Sequence, residues 1–398
     1  GSPESGLDEN VNSTRGIRME KSKVVLLPCD SYEEEKIKEL LNAGVNLLGG
    51  ISSIVKPQEK ILLKPNLLKK SETEKAVITH PAVMGAFALL LEEAGCHQVK
   101  AGDSCGTGTT RKIMQASGMD EALERHQVTI VDFDEGVRRE YPQGRQAREF
   151  MMASQVEEAD AVINLCKMKT HQLERITGAV KNMYGCIYGF YKAKGHTQYP
   201  DAHSFARMLV DLNQYVKPRL YIMDGIVAME GNGPGSGDPV SMNVILMSRD
   251  PVALDSVFCH LIHLDPRLVP TNDQGEKMGL GVWQPDQIRV LLPDGEISME
   301  EAVRRFGNPG FDVDRTPEKN DWWVWMAKFF HIFQKRPYIV QEKCIGCGIC
   351  VQSCPVEGKA LQFRGKKAPE YNYRKCIRCF CCQEMCPQKA IRVKGLRF

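Results

Sequence analysis

Nine of the chain's fifteen cysteines fall between residues 344 and 386, and eight of them form two copies of one pattern. Cys344, Cys347, Cys350, Cys354 and Pro355 follow C-x2-C-x2-C-x3-C-P, and Cys376, Cys379, Cys382, Cys386 and Pro387 repeat it. A disulfide scaffold spaces its cysteines through a small secreted domain, whereas thiols crowded two and three residues apart have metal-ligand spacing. A reducing compartment follows. Zinc also uses C-x2-C pairs, but four ligands satisfy it and nothing in its chemistry calls for the duplicated run. Three thiolates at this spacing can wrap three irons of one cubane, while the fourth lies too far along the chain to reach the same cluster. The pattern therefore points to two [4Fe–4S] clusters.

Residues 341–394 resemble the bacterial two-[4Fe–4S] ferredoxins, each motif being followed by a short strand-like stretch, at 360–363 and 390–393. In proteins of that type the fourth cysteine ligates the other cluster. The resemblance implies one cluster on Cys344, Cys347, Cys350 and Cys386 and a second on Cys376, Cys379, Cys382 and Cys354. It also implies a small α+β domain, spanning 341–398, that transfers electrons at low potential in an anaerobic setting. Cys381, beside Cys382, has no place in the pattern.

This module holds twelve Lys and Arg against four Glu, leaving 40 basic and 46 acidic residues in the rest of the chain. The asymmetry suggests that the basic module docks on an acidic surface, either its own larger domain or a redox partner protein. The net charge of the whole is only +2, which indicates no nucleic-acid partner. No apolar run approaches the ~18 residues that span a bilayer, and no basic, then apolar leader opens the sequence, so a cytoplasmic protein is expected. Residues 1–18 read as the polar remnant of a cleaved fusion.

Residues 19–305 alternate short β-branched or apolar runs with helical patterns, the signature of an α/β domain with a largely parallel sheet. Strands are expected at 23–27, 60–64, 98–101, 128–133, 161–165, 219–223, 244–247 and 288–292. Helices are expected at 33–48, 81–94, 110–117, 204–216 and 251–262. Residues 306–340 read as a linker carrying Trp322, Trp323, Trp325, Phe329, Phe330 and Phe333. Such an aromatic helix is expected to pack the module against the α/β domain rather than to touch a membrane.

In open α/β sheets ligands bind beyond the carboxyl ends of the strands. Here those ends are polar: Lys64 and Asn66, Asp103 and Ser104, Lys167 to His171, Asp224, and Ser248 to Asp250. One Asp after a strand is more often a helix cap or turn residue, but five polar ends together point to a site for a polar or anionic small molecule. Lys169, His171, Lys181 and Asp103 are candidates for proton chemistry, and Lys64, Asn66, Ser104, Thr170, Asn182 and Asp224 for substrate binding. The loop after Gly102 is neither G-x-G-x-x-G nor a P-loop. The glycine-rich run 231–237 reads as a mobile loop over the rim. Asp224, Glu230 and Asp255 are too scattered to suggest a divalent metal.

Lys64-Pro-Asn66, Gly102-Asp-Ser104, Lys167-Met-Lys-Thr-His171, Lys181-Asn182 and Ser248-Arg-Asp-Pro-Val-Ala-Leu-Asp255 resemble the bacterial and archaeal family catalogued as domain of unknown function 362. Many of its members carry a C-terminal two-cluster module. The resemblance covers about residues 22–394 and implies this domain arrangement without supplying a substrate. Two readings stay open: a reductase, whose clusters feed a substrate at the strand-end rim, and a non-catalytic carrier, whose α/β domain docks a partner enzyme. Delivery of a metal or a cluster precursor is a third.

Overall fold

The computed structural model describes residues 20–189, 191–317 and 335–394. The presumed fusion remnant and the aromatic run from Trp322 to Phe333 lie outside the described residues. The strands of the first domain are β1 (Ser22–Pro28), β2 (Ile61–Pro65), β3 (Val99–Ala101), β4 (Thr129–Ile130), β5 (Gly136–Glu140), β6 (Glu149–Ala153), β7 (Ala161–His171), β8 (Arg175–Thr177), β9 (Leu220–Glu230), β10 (Asp238–Ser248), β11 (Ile288–Leu292) and β12 (Gly295–Ile297). All except the separate hairpin β5–β6 join one sheet, ordered β12-β11-β1-β10-β9-β7-β2-β3-β4, with β8 against the far end of β7.

Continuous apolar runs such as Val24 to Leu27 and Ile61 to Leu63 are what a sheet covered on both faces requires. The strand period of two sends Val24, Leu26, Leu62 and Val162 to one core and Val25, Leu27, Ile61, Leu63 and Ile163 to the other. Helices Glu34–Leu47 and Pro81–Glu93 cover the second face, and Ala202–Val216 and Pro251–Leu261 the first. Strands β4, β3, β2, β7 and β9 run parallel, while β10 is antiparallel to both β9 and β1. From β2 the chain first builds outward through β3 and β4, then returns to β2's other side as β7. That reversal opens a crevice at the carboxyl ends of β2 and β7, the place where such sheets bind ligands.

Several boundaries differ from expectation. β7 continues to His171 and β9 to Glu230, because their distal halves remain in the ladder: Lys167 pairs with Asp224 and Lys169 with Thr177. Lys167, Lys169, Thr170 and His171 are thus buried strand residues rather than a solvent-facing rim. Asp250 is a helix cap, its carboxylate accepting from the N–H groups of Val252 and Ala253. The first domain also runs past residue 305, since Phe311 is buried against Phe258 and Arg315 donates to the carbonyls of Ile262 and Phe311.

The second domain is a small α+β unit built from β13 (Arg336–Ile339), β14 (Leu361–Gln362), β15 (Glu370–Tyr371) and β16 (Ile391–Lys394). β13 pairs with β16, and β14 with β15, both antiparallel. It sits on the glycine-rich loop 231–237, which is buried from 233 to 237 instead of flapping over a rim. Gln383 Nε2 donates to Asn232 O at 2.8 Å and to Gly233 O at 3.2 Å, Asn232 Nδ2 to Ile391 O at 3.1 Å, and Lys389 Nζ to Gly237 O at 2.6 Å. Lys389 also meets Asp238 at 3.3 Å. The closest contacts of the seam thus run to amides and carbonyls, with charge complementarity a minor part of it.

Candidate functional site

Lys64, the fourth residue of β2, is fully buried with Nζ 2.9 Å from Asp103 Oδ1 and donating to Pro65 O at 2.8 Å. The other oxygen of Asp103 accepts from Leu67 N at 2.7 Å. A Cβ on Gly185 would come within 1.8 Å of Asp103 Oδ1, so only glycine lets the 183–186 turn close on this pair. Ser104 holds the same turn, donating its N–H to Gly185 O at 2.9 Å and accepting from Gly189 N at 3.2 Å. Lys192 Nζ then donates to the carbonyls of Ser104 and Cys105.

A chain of amides crosses the crevice. Lys169 Nζ donates to Asn66 Oδ1 at 2.7 Å and to Val77 O at 2.8 Å. Asn66 Nδ2 donates to Asn182 Oδ1 at 2.8 Å, Asn182 Nδ2 to Asn164 Oδ1 at 2.7 Å, and Asn164 Nδ2 to Ala179 O at 2.9 Å. An ammonium only donates, so Lys169 fixes which way every asparagine in the line faces. The chain places the turn Ala179–Asn182, whose N–H groups at Ala179 and Val180 are also held by Asp255 at 2.6 and 3.1 Å. Burial pushes the Asp255 carboxyl up to about 7.

Lys181 rides on that turn, half-buried, and has no hydrogen-bond or ion-pair partner among the described residues. Its charge adds to burial in pressing Lys169 well below the usual ammonium range and His171 down to about 4. His171 Nδ1 accepts from the N–H groups of Leu173 and Glu174, both at 3.1 Å, which fixes a neutral ring with its proton on Nε2. Nε2 lies 3.0 Å from Glu384 Oε1, across the seam. Despite its burial, Glu384 is held below the usual carboxylate range by His171 and Lys181. Lys69 Nζ reaches the short helix Cys381–Glu384, donating to Glu384 O at 2.9 Å.

Of the residues singled out in the sequence, the crevice gathers Lys64, Asn66, Asp103, Ser104, Lys169, His171, Lys181 and Asn182. Thr170 faces the other way, donating to Gly231 O and accepting from Gly233 N to anchor the seam loop. Asp224 is a correction. It is fully enclosed, with Oδ1 accepting from Tyr32 OH at 3.0 Å and Oδ2 from Lys167 Nζ at 2.6 Å and His80 N at 3.0 Å. With both oxygens engaged it balances a buried lysine and leaves nothing for a ligand. Lys69, Lys192 and Glu384 were not anticipated. Asn164 left one signal, an amide inside an apolar strand.

His80, stacked on Tyr32 with centroids 3.5 Å apart, caps helix Pro81–Glu93 by accepting Ala82 N–H at Nδ1. Burial lowers its imidazole from 6.5 to about 4, with Lys167 adding to the effect and Asp224 opposing it. Between those values the unfolded chain binds a proton that the folded chain refuses. This contribution to stability is complete above the unfolded value and is lost as pH falls toward the folded one. His80→Asn keeps a capping side chain and is expected to remove up to roughly 3 kcal/mol of that acid sensitivity. Urea unfolding of both proteins at the two ends of this window measures it; equal pH slopes would refute it.

The cysteines converge differently. One void is lined by Cys344, Cys347, Cys350 and Cys386. A second is lined by Cys354, Cys376, Cys379 and Cys382. Each takes three cysteines of one motif and the fourth of the other. Among the described residues no three His, Cys, Asp or Glu side chains close on one point as a single metal ion would need. Four cysteines drawn from both motifs around each void suit a polynuclear cluster. Ala360 N–H and Ala390 N–H lie 3.3 Å from the sulfurs of Cys354 and Cys386, and Tyr371 OH is 3.2 Å from that of Cys382. Cys381 lines neither void.

No helix among the described residues is long and apolar enough to cross a membrane. The family profile of domain of unknown function DUF362 matches residues 61–260, and that of a 4Fe-4S dicluster domain matches residues 336–387. A thylakoid-associated protein of Synechocystis sp. is 37% identical over 258 residues, covering 65% of this chain and 79% of that protein. The lactate racemase apoprotein of Thermoanaerobacterium thermosaccharolyticum superposes with a TM-score of 0.39 and 14% identity. That superposition covers 60% of this chain and 56% of the racemase, a little over half its length. The profile match takes in β2 through β10 with the crevice between them, and the dicluster match takes in both voids: the chain belongs to the DUF362 family and carries a 4Fe-4S module with an iron–sulfur electron-transfer role.

Proposed function

We propose that the protein is a cytoplasmic iron–sulfur oxidoreductase that reduces a polar, anionic small molecule bound in the β2–β7 crevice. The observation that carries this reading is the unpaired Lys181, set in a cationic crevice that the module's helix Cys381–Glu384 closes. Five ammonium groups, Lys64, Lys69, Lys169, Lys181 and Lys192, face two carboxylates there, Asp103 and Glu384, and the excess favours an anion. Cys344, Cys347, Cys350 and Cys386 would hold one [4Fe–4S] cluster and Cys354, Cys376, Cys379 and Cys382 the other. Such clusters supply single electrons at a potential set by their surroundings.

The chain's own groups do the rest. Lys181 binds the anionic group of the substrate. Lys169, its charge disfavoured by burial and by Lys181, gives up a proton readily. Asp103 fixes Lys64, and the amides of Asn66, Asn182 and Asn164 fix the turn that bears Lys181. His171 keeps the module seated over the crevice.

The test follows cluster reoxidation by visible absorbance in anaerobically reduced protein, adding a cell's metabolite fraction or its protein fraction. Reoxidation by small molecules is expected, slowed about tenfold or more by Lys181→Ala and partly restored in Lys181→Arg. Reoxidation by the protein fraction alone, indifferent to Lys181→Ala, would overturn the reductase reading in favour of a carrier whose α/β domain recognises a partner.

A further inference from the structure

Three large hydrophobic side chains are exposed among the described residues, and two of them flank one feature. Ile345, 54% exposed, lines the first cysteine void, as do Gly348 and the exposed Cys347. Phe363, 46% exposed, lays its ring 3.6 Å from where a Cβ on Gly348 would stand. Lys367 packs on Gly346, its Cγ 3.5 Å from the corresponding position. Lys343, Arg364, Lys366 and Lys367, within four residues of one or other of these apolar groups along the chain, are all exposed. The acids on the same segments are Glu342, which is exposed, and Glu370, which is taken by Lys366 at 2.6 Å. The residues that meet the α/β domain are others, Gln383, Glu384, Lys389 and Ile391, of which Ile391 also lines the first cysteine void.

Exposed apolar side chains are unremarkable one by one. Here Ile345 lines a cysteine void and Phe363 packs beside it, among four exposed cationic residues and one exposed acid, on a part of the module that the described residues leave uncovered. Transient electron-transfer complexes have this anatomy: a small apolar contact for close approach, ringed by charges that steer encounter.

We infer that Ile345 and Phe363, with Lys343, Arg364, Lys366 and Lys367, form the docking surface for a small acidic electron-carrier protein. Each productive encounter moves one electron, the carrier being oxidised by one and the centre bounded by Cys344, Cys347, Cys350 and Cys386 being reduced by one, with no bond made or broken. This deepens the proposed function by naming the electron donor, and it is tested without any substrate, so the two readings fail separately.

The test uses the full chain with its clusters and an oxidised, isotope-labelled flavodoxin, an acidic flavin carrier, as the probe. Binding is read from the flavodoxin's NMR shifts at low and high salt. Lys366→Glu combined with Lys367→Glu is expected to weaken binding about tenfold or more at low salt and to flatten its salt dependence. Phe363→Ser is expected to weaken binding at both salt concentrations. Both variants should slow reduction by flavodoxin hydroquinone while leaving reduction by dithionite unchanged. Where a variant loses its visible cluster absorbance, Lys343→Glu combined with Arg364→Glu takes its place. Unchanged affinity in charge-reversed protein with intact clusters, or wild-type binding that does not weaken with salt, overturns the proposal.

Discussion

Asp224→Ala is expected to destabilise the α/β domain by about 3–5 kcal/mol, the loss typical of stranding one member of a buried ion pair. Lys167 is 1% exposed and Asp224 not at all, and the ammonium donates at 2.6 Å to the carboxylate and at 3.1 Å to Tyr32 OH. Burial already disfavours the charge on Lys167, and Asp224 is the group that opposes that effect. Without it the lysine must lose its proton or prise the sheet open, while Tyr32 OH and His80 N–H lose their acceptor. Lys167→Met combined with Asp224→Leu is expected to cost much less, because replacing both partners removes the desolvation penalty along with the attraction. Urea unfolding of the three proteins decides it. A loss below about 1 kcal/mol in Asp224→Ala, the range of a surface pair, would mean that the ion pair is not enclosed.

Stripping the iron is expected to unfold residues 336–394 while the large sheet persists. The module's buried cluster is Ala360, Leu361, Ala390 and Ile391 together with Cys350, Cys354, Cys382 and Cys386, so half of what fills its interior is ligand. Its strands are two to four residues long. A domain this small draws at most about 3–5 kcal/mol from packing, and metal–thiolate bonding supplies folding free energy directly. Hydrogen exchange after anaerobic chelation should show amides of β13 and β16 losing protection and those of β2, β7 and β9 keeping theirs. Cys386→Ala should lose roughly half the iron, since one void keeps all four of its cysteines. Retained amide protection in the iron-free module would contradict this account.

Three cysteines of each void were legible because their geometry is local, a spacing of two residues; the fourth, Cys386 or Cys354, comes from the other motif and was implied only by the resemblance to two-cluster ferredoxins. Helix Thr110–Ser117 was legible through equally local signals, with Thr109 capping one end and Gly118 in the left-handed region at the other. The end of β7 was not. Lys167, Lys169 and His171 read as loop residues because isolated charges belong in water, and what lets them stay in a buried strand is distant in sequence: Asp224, Asn66 and Glu384. Loop 231–237 has the same glycine-rich composition whether it swings free or bears a domain. Glu384 lies between Cys382 and Cys386, and its partner His171 is more than two hundred residues away, so nothing local marks it.

The ammonium of Lys169 bears three hydrogens, and Asn66 and Val77 take two of them. A neutral amine still has two to give. Loss of the third therefore leaves both anchoring bonds in place, and with them the orientation of Asn66, Asn182 and Asn164 and the seat of Lys181. Anchor and titrating group are one residue, so the crevice keeps its shape whichever protonation state Lys169 is in.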